Sequence, residues 1–426
     1  MSMTRRGYLK GIIVAPVAAS IGPVFGAARA EATTIDAGQF RLEFRASNTY
    51  GDFSSLNAGL ATKLPTITAD RVIANTNRDA KRLLGAPSAV GAFQAGFAWD
   101  GGDQAVPYWI PQGITTSADS YSNGLYPVAG SNRIVAVSWY FESDPDGDGV
   151  DEYSLDKGMR LSLVNYNNPA VPTYRHILLV EPIMTSSGDY SFKPVRRHAG
   201  GIAWYGNLLY VVDTKQGFRI FDLNQIFQVS TTESEICGRH DDGSYHGYGY
   251  EYVLPQSGAY DNRGTVLRFS TMGLDRASTP DSLVISEYSK AGTVVYDDGD
   301  YSGNHDTAIY TPKIVRWDLN YTNRLLASHV ATEAVTVRQQ KIQGVVSRGS
   351  RHYLSVSSGP SMGGTLRTLT SASSAADFVC NLSVGCEDLS YHPSTTSGWT
   401  FGESVIWNIS EYANERYVYA VRADGS

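Results

Sequence analysis

The stretch RRHAGGIAWYGNLLYVVDT, residues 196–214, reads as a β-hairpin. GIAWYG and LLYVVDT are aromatic and β-branched runs, and Gly206-Asn207 between them is a turn dipeptide. A third run, GFRIFDL (217–223), follows after Lys215-Gln216, and YGYEYVLPQSGAY (248–260) supplies a fourth strand. The unit is a four-stranded meander.

The same order recurs along the chain. QGITTSA, RIVAVSWYF, MRLSLVNY and YRHILLVEP cover 112–182. RFSTMGL, DSLVISEYS, KIVRWDL and LLASHVATEAV cover 268–335. QGVVSRG, RHYLSVSSG and TLRTLT cover 343–370, and EDLSYHP, SVIWNISEY and RYVYAVR cover 387–422. The last unit lacks a strand, which FRLEFRAS (40–47) would complete by joining the two ends of a ring. Closure of that kind removes exposed strand edges and defines an all-β β-propeller. Five blades are expected, with six or seven if residues 60–111 hold another. A two-sheet sandwich is the structural rival, since short strands alone do not distinguish it. The spacing is uneven: Gly113 to Gly201 is 88 residues and Gly344 to Asp388 is 44, so the loops differ greatly in length. ITADRVIANTNRDAKRLLG (66–85) reads as a short N-terminal amphipathic helix capped near Thr68.

The chain starts with TRRGYLK (4–10), an apolar run rich in Gly, Ala and Pro, and Ala28-Arg29-Ala30, the parts of a removable export signal. The run is too short for a membrane anchor. Arg5-Arg6 followed by Tyr8-Leu9-Lys10 resembles the bacterial twin-arginine signal, which implies export of a folded protein. Residues 1–30 are then the signal peptide, and 31–426 form one secreted domain in the periplasm or medium. Loss of Arg5, Arg6, Lys10 and Arg29 takes the formal net charge from −7 to −11. Such an acidic protein is a poor ligand for nucleic acid or anionic lipid. The three cysteines are too few for a disulfide scaffold, but export favours oxidation of Cys380 and Cys386, leaving Cys237 free.

In a propeller the first strand of each blade lines the axis. Aligning the strand starts brings Gln112, Gln343 and Glu387 to comparable positions near the mouth, with His198 two residues before its blade's equivalent and Arg196 and Arg197 beside it. A binding pocket uses a few convergent polar groups in this way. The plain alternative is that each simply satisfies neighbouring backbone groups. DPDGDGVDEY (144–153) alternates Asp144, Asp146 and Asp148 around glycines and ends in Asp151-Glu152, resembling a calcium loop whose ligands would be Asp144, Asp146, Asp148 and Glu152. Leu155 occupies the position where an EF-hand carries its last glutamate, so a solvated acidic turn is the competing reading. DDGDYSGNHD (297–306) is a second acidic loop, with no ligand spacing that singles it out. No GxSxG, HExxH, GxGxxG or Walker pattern occurs in a fitting context.

The strand pattern, export signal, acidity and aromatic loops together resemble secreted carbohydrate-active β-propellers. That resemblance implies a polysaccharide or oligosaccharide partner, no organic cofactor, and a monomer. Trp109, Tyr205 and Tyr245 would stack on sugar rings. Among such proteins the polysaccharide lyases, including those releasing rhamnose from glucuronate, imply β-elimination. His198 would then be base, Arg196 or Arg197 would neutralise the uronate, and Tyr248 or Tyr250 would be acid. A glycoside hydrolase is the alternative, with Glu387 as one carboxylate and Asp100, Asp103 or Asp119 as the other. A non-catalytic glycan-binding propeller is the third reading.

Overall fold

The computed structural model describes residues 33–127, 129–263, 267–290, 294–296, 308–370, 376–399 and 401–426. The export signal and the acidic stretch at 297–306 lie outside them. The chain opens with β1 (Leu42–Arg45), α1 (Phe53–Ala61), α2 (Ala69–Ala74) and β2 (Phe93–Ala98). Four-stranded antiparallel units follow. The first is β3 (Trp109–Thr116), β4 (Ile134–Phe141), β5 (Met159–Asn165) and β6 (Thr173–Met184). The second is β7 (Ile202–Tyr205), β8 (Leu208–Asp213), β9 (Gly217–Asp222) and β10 (Tyr252–Asn262). The third is β11 (Thr271–Asp275), β12 (Ser282–Ser286), β13 (Lys313–Asp318) and β14 (Glu333–Thr336). The fourth is β15 (Ile342–Arg348), β16 (Arg351–Val356), β17 (Thr365–Thr370) and β18 (Asp377–Asn381). The last has three C-terminal strands, β19 (Cys386–His392), β20 (Val405–Ser410) and β21 (Tyr417–Arg422), completed by β2.

The hairpin at 201–213 shows why these segments pack as blades. Successive side chains of a strand point to opposite faces. Ile202 and Trp204 enter an apolar cluster with Ile134, Ala136 and Leu161 of the preceding unit. Ala203 and Tyr205 enter another with Met272, Leu283 and Trp317 of the following one. Both faces are buried, so the strand is apolar throughout rather than alternating. Equivalent clusters join the third unit to the fourth, the fourth to the last, and the last back to the first. The units therefore form a closed ring, a β-propeller.

Closure comes from a different strand than FRLEFRAS. β2 pairs with β21, Tyr417 opposite Ala98, so the ends meet through residues 93–98. Leu42–Arg45 instead adds to the outer edge of β10. The helix expected over 66–85 is confined to Ala69–Ala74. Beyond it, Arg78–Asp79 and Lys81–Arg82 pair with Thr173–Tyr174 and Phe97–Ala98. Thr68 takes the N-cap position without capping the backbone, because its hydroxyl donates to Asp70 Oδ1 at 2.5 Å. All three cysteines are free thiols, so the expected Cys380–Cys386 disulfide is absent. No described helix is long and apolar enough to cross a membrane.

At the axis the inner strands nearly touch. A Cβ on Gly201 would lie 2.3 Å from Met272 N, and one on Gly344 would lie 2.8 Å from Asp388 Cα. Asp388 fills the centre. Its Oδ2 accepts from Ile114 N (3.2 Å) and Ile202 N (3.1 Å), and its Oδ1 accepts from Thr271 Oγ1 (2.8 Å). One side chain thus ties four inner strands together and divides the channel into a mouth and a far end.

A relay of residue types familiar from serine hydrolases lies in the first unit. Trp139 Nε1 donates to Ser162 Oγ (2.7 Å), Ser162 Oγ meets His176 Nδ1 (2.8 Å), and His176 Nε2 meets Asp103 Oδ2 (2.9 Å). Ser162, His176 and Asp103 are all buried, and the Ser162 hydroxyl is taken up between Trp139 and His176. Burial opposes the Asp103 charge, but hydrogen bonds from His176 and Tyr174 and the Arg160 guanidinium outweigh it and hold the carboxyl well below its usual range. Burial and Arg160 push His176 down to about 3, which keeps the ring neutral, with the Nε2 proton facing Asp103. The relay staples three strands to the short helix Gly101–Ala105.

His392 is buried against Trp399 and Phe401, with ring centroids at 4.6 and 5.7 Å, and neither of its nitrogens has a hydrogen-bond partner. Burial pushes it down to about 3 from an ordinary 6.5. Between those values the unfolded chain holds the proton and the folded chain does not. Stability is therefore complete above the unfolded value and falls as the pH drops, by about 1.4 kcal/mol per pH unit for each such group. His392→Phe, which suits the aromatic cage, should flatten the acid limb of stability by about one such slope. Urea unfolding from pH 7 to pH 4 checks this; parallel limbs for wild type and variant would contradict it.

Candidate functional site

Three inner strands carry β-bulges near their starts. Ser138 pairs with Gly113 and Trp139 with Pro111, which leaves Gln112 as the extra residue. Ile342 pairs with Val356 and Gly344 with Ser355, leaving Gln343. Cys386 pairs with Ser410 and Leu389 with Asn408, so Glu387 and Asp388 share one opposing position. A bulge re-aims a side chain out of the ladder, and bulges are common beside active sites. Gln112, Gln343 and Glu387, the residues aligned from sequence, are the bulged ones.

Their side chains meet carboxylates. Gln343 Nε2 donates to Glu387 Oε1 at 2.7 Å, and Gln112 Nε2 donates to Glu411 Oε2 at 3.1 Å. Asn408 Nδ2 donates to the carbonyls of Glu387 (2.8 Å) and Asp388 (2.9 Å) and so fixes the bulge. Glu411 N donates to Gly385 O at 3.0 Å, which places Glu411 beside the strand bearing Glu387. In the third unit the buried Glu287 accepts from Arg268 N (2.7 Å) and from Lys313 Nζ (3.2 Å). The mouth of the ring therefore holds Glu387, Glu411 and Glu287, each oriented by a neutral amide or a lysine. Glu411 and Glu287 escape a sequence reading because they follow second strands, where register rather than spacing sets their height.

His198 packs on Tyr140 with ring centroids 4.2 Å apart and planes tilted by 39°, and Tyr140 donates to Glu142 Oε2 at 3.4 Å. The next residue, Ala199, is held at φ 54°, a left-handed conformation that costs a residue bearing a Cβ. Its carbonyl accepts from Ser138 Oγ at 3.1 Å. The flanking arginines do not join His198. Arg197 Nε donates to Asp213 Oδ2 at 2.7 Å, and Arg196 Nε donates to the Asp156 carbonyl at 3.1 Å. Both side chains are exposed and engaged away from the imidazole.

The aromatic residues make contacts within the fold. Tyr245 is buried and donates to Tyr190 O at 2.8 Å. Tyr248 packs in the same outer cluster as Leu60 and Phe227. Tyr250 accepts from Arg160 at 3.3 Å, and Trp109 lies 4.5 Å from the same guanidinium. Tyr205 is buried and donates to Asp281 at 3.0 Å, beyond Asp388. Core packing consumed these rings. The hydrolase partners weighed for Glu387 are placed elsewhere too. Asp103 belongs to the relay, and Asp100 caps the helix bearing Asp103. Asp119 accepts from Ser390 Oγ (2.6 Å), three residues along β19 from Glu387 and past the Asp388 plug.

Asp144, Asp146, Asp148 and Glu152 do converge, each offering an oxygen within 4.8 Å of the others. The loop follows β4 at the mouth. Partial desolvation and the three aspartates raise the Glu152 carboxyl, a repulsion that a bound cation would relieve.

No protein-family model and no curated protein matches the chain. Among solved structures, a GH43_1 enzyme from Xanthomonas citri complexed with xylotriose aligns over 87% of this chain and 95% of its own, at 9% identity and a TM-score of 0.33. PhoX of Pseudomonas fluorescens, in complex with vanadate, aligns over 94% and 99%, at 9% identity and a TM-score of 0.38. CoXyl43, a GH43 β-xylosidase/α-arabinofuranosidase from a compost metagenome in its calcium-free form, aligns over 75% and 94%, at 10% identity and a TM-score of 0.32.

Proposed function

We propose that the chain is a secreted carbohydrate-active enzyme, a glycoside hydrolase whose reacting carboxylates are Glu387 and Glu411 at the mouth of the propeller. The observation that carries this reading is the set of bulges that turns Gln112, Gln343 and Glu387 out of their ladders, with a glutamine amide on each of two carboxylates. Hydrolysis needs two such groups: one protonates the glycosidic oxygen, and the other activates water or attacks the sugar. The amides fix the carboxylates without adding charge. β-Elimination has less support, because Arg196 and Arg197, the groups that would neutralise the substrate carboxylate, are turned to Asp156 and Asp213. A purely glycan-binding ring should repeat one site per blade, whereas the bulged residues differ between blades. A panel of neutral and uronate-rich plant polysaccharides, assayed for reducing ends and for the ultraviolet absorbance of unsaturated product, separates the three. Reducing ends without unsaturation are expected. Unsaturated product would return the assignment to a lyase, and affinity without turnover would make it a binding module.

Calcium is proposed for the acidic loop, held by Asp144, Asp146, Asp148 and Glu152 as a structural ion. At a hundredfold excess over its dissociation constant it would stabilise the fold by about 2.7 kcal/mol. Chelator should lower the melting temperature, and Asp146→Ala should abolish that sensitivity. A melting curve indifferent to chelator would leave the loop a solvated turn. Export by the twin-arginine route is likewise proposed. Arg5→Lys with Arg6→Lys should strand precursor in the cytoplasm, and undiminished secretion of the double variant would refute that route.

A further inference from the structure

Beyond Asp388, where the inner strands end, a cavity of about 400 Å³ opens on the far face. Ligand pockets begin at roughly 300 Å³, so the space suits a monosaccharide. Asp119, Arg276, Arg348 and Tyr391 line it, contributed from the ends of four inner strands, with Asp281 and Tyr321 at the side. Asp388 and the strands it binds separate this space from the mouth.

The two guanidinium groups differ. Arg276 is committed: its Nη1 donates to the Asp119 carbonyl at 3.2 Å and lies 3.4 Å from Asp281 Oδ2, with its plane 5.1 Å from the Tyr205 ring. Arg348 is exposed and has no carboxylate within ion-pair distance among the described residues, and its guanidinium lies 5.3 Å from the Tyr391 ring. That is a fork free to take a planar anion bidentately. The acceptor side is equally asymmetric. Asp119 is only 5% exposed, and its Oδ2 takes Thr115 Oγ1 at 2.8 Å and Ser390 Oγ at 2.6 Å, which leaves Oδ1 for a ligand hydroxyl. Burial raises the Asp119 carboxyl against the hydrogen bonds from Ser390 and Thr115.

We propose that the far face is a second binding site, for a monosaccharide-sized polyhydroxy carboxylate such as a sugar acid. Arg348 grips the carboxylate, Tyr391 supports the ring, and Asp119 reads a hydroxyl. The inference does not depend on the hydrolase assignment, because the two sites share no side chain.

Calorimetric titration of the full chain with D-glucuronate, D-glucose and acetate tests it. Glucuronate should bind, with glucose and acetate each about tenfold weaker or more, since each lacks half of the recognised chemistry. Arg348→Ala, at an exposed position, should weaken glucuronate about tenfold or more while the melting temperature holds. Glu387→Gln should bind glucuronate as wild type does. Absence of binding, equal binding by Arg348→Ala, or loss of binding in Glu387→Gln would each overturn the second site; the last would place the ligand at the mouth.

Discussion

Asp388→Ala is expected to be the most destabilising single change in the ring. It removes the acceptor from two buried backbone N–H groups and one buried hydroxyl on three separate strands. Each donor left without a partner costs about 1–3 kcal/mol, so the sum for the three is on the order of 3–9 kcal/mol. Whole domains have only about 5–15 kcal/mol in hand. The chemistry makes a sharper distinction. Burial raises the Asp388 carboxyl well above its ordinary value, against the hydrogen bonds from Thr271, Ile202 and Ile114. Asparagine is close to an isostere of this side chain and keeps an acceptor oxygen for the two backbone N–H groups. Urea unfolding should find Asp388→Asn within about 1–2 kcal/mol of wild type and Asp388→Ala far below it. Equal damage from both would mean that the ring needs the ionised carboxylate.

The second large effect concerns turnover. Glu387→Gln keeps the shape that Gln343 holds but removes the titratable proton, and Glu411→Gln does the same opposite Gln112. A positioned general acid or base contributes about 10²–10⁴ in rate. Each variant should lose at least about 10² in kcat while its melting temperature stays near wild type. If one is a nucleophile and the other the acid, the double variant should be little slower than the worse single one, because residues that act as a unit are not additive.

Much of this architecture can be read from the residues alone. GIAWYG is apolar at every position because two neighbouring blades bury opposite faces of one strand, whereas inner strands such as Trp109–Thr116 and Cys386–His392 mix polar residues into the run. The closing strand is harder to see. FQAGFA is short, and its partner RYVYAVR lies at the other end of the chain, so no local turn advertises the pairing. Strand alignment picks out Gln112, Gln343 and Glu387, the three bulged residues, but Glu411 and Glu287 depend on register, which composition does not specify. The relay left a quieter signal: Ser162 and His176 are polar residues inside the apolar runs MRLSLVN and YRHILLV, directly opposite each other in the ladder. Aromatic count alone does not separate a sugar platform from packing: Tyr205, Tyr245 and Trp109 are all buried.

In the proposed hydrolase the bulged carboxylate Glu387, at the mouth of the ring, does the chemistry. The most direct test is release of reducing ends by Glu387→Gln, measured on whichever polysaccharide the wild-type protein cleaves, beside the melting temperature of the same sample. A loss of about 10² or more in rate at an unchanged melting temperature is predicted. Wild-type turnover by a folded Glu387→Gln protein would contradict the account and remove the mouth of the ring as the reacting centre.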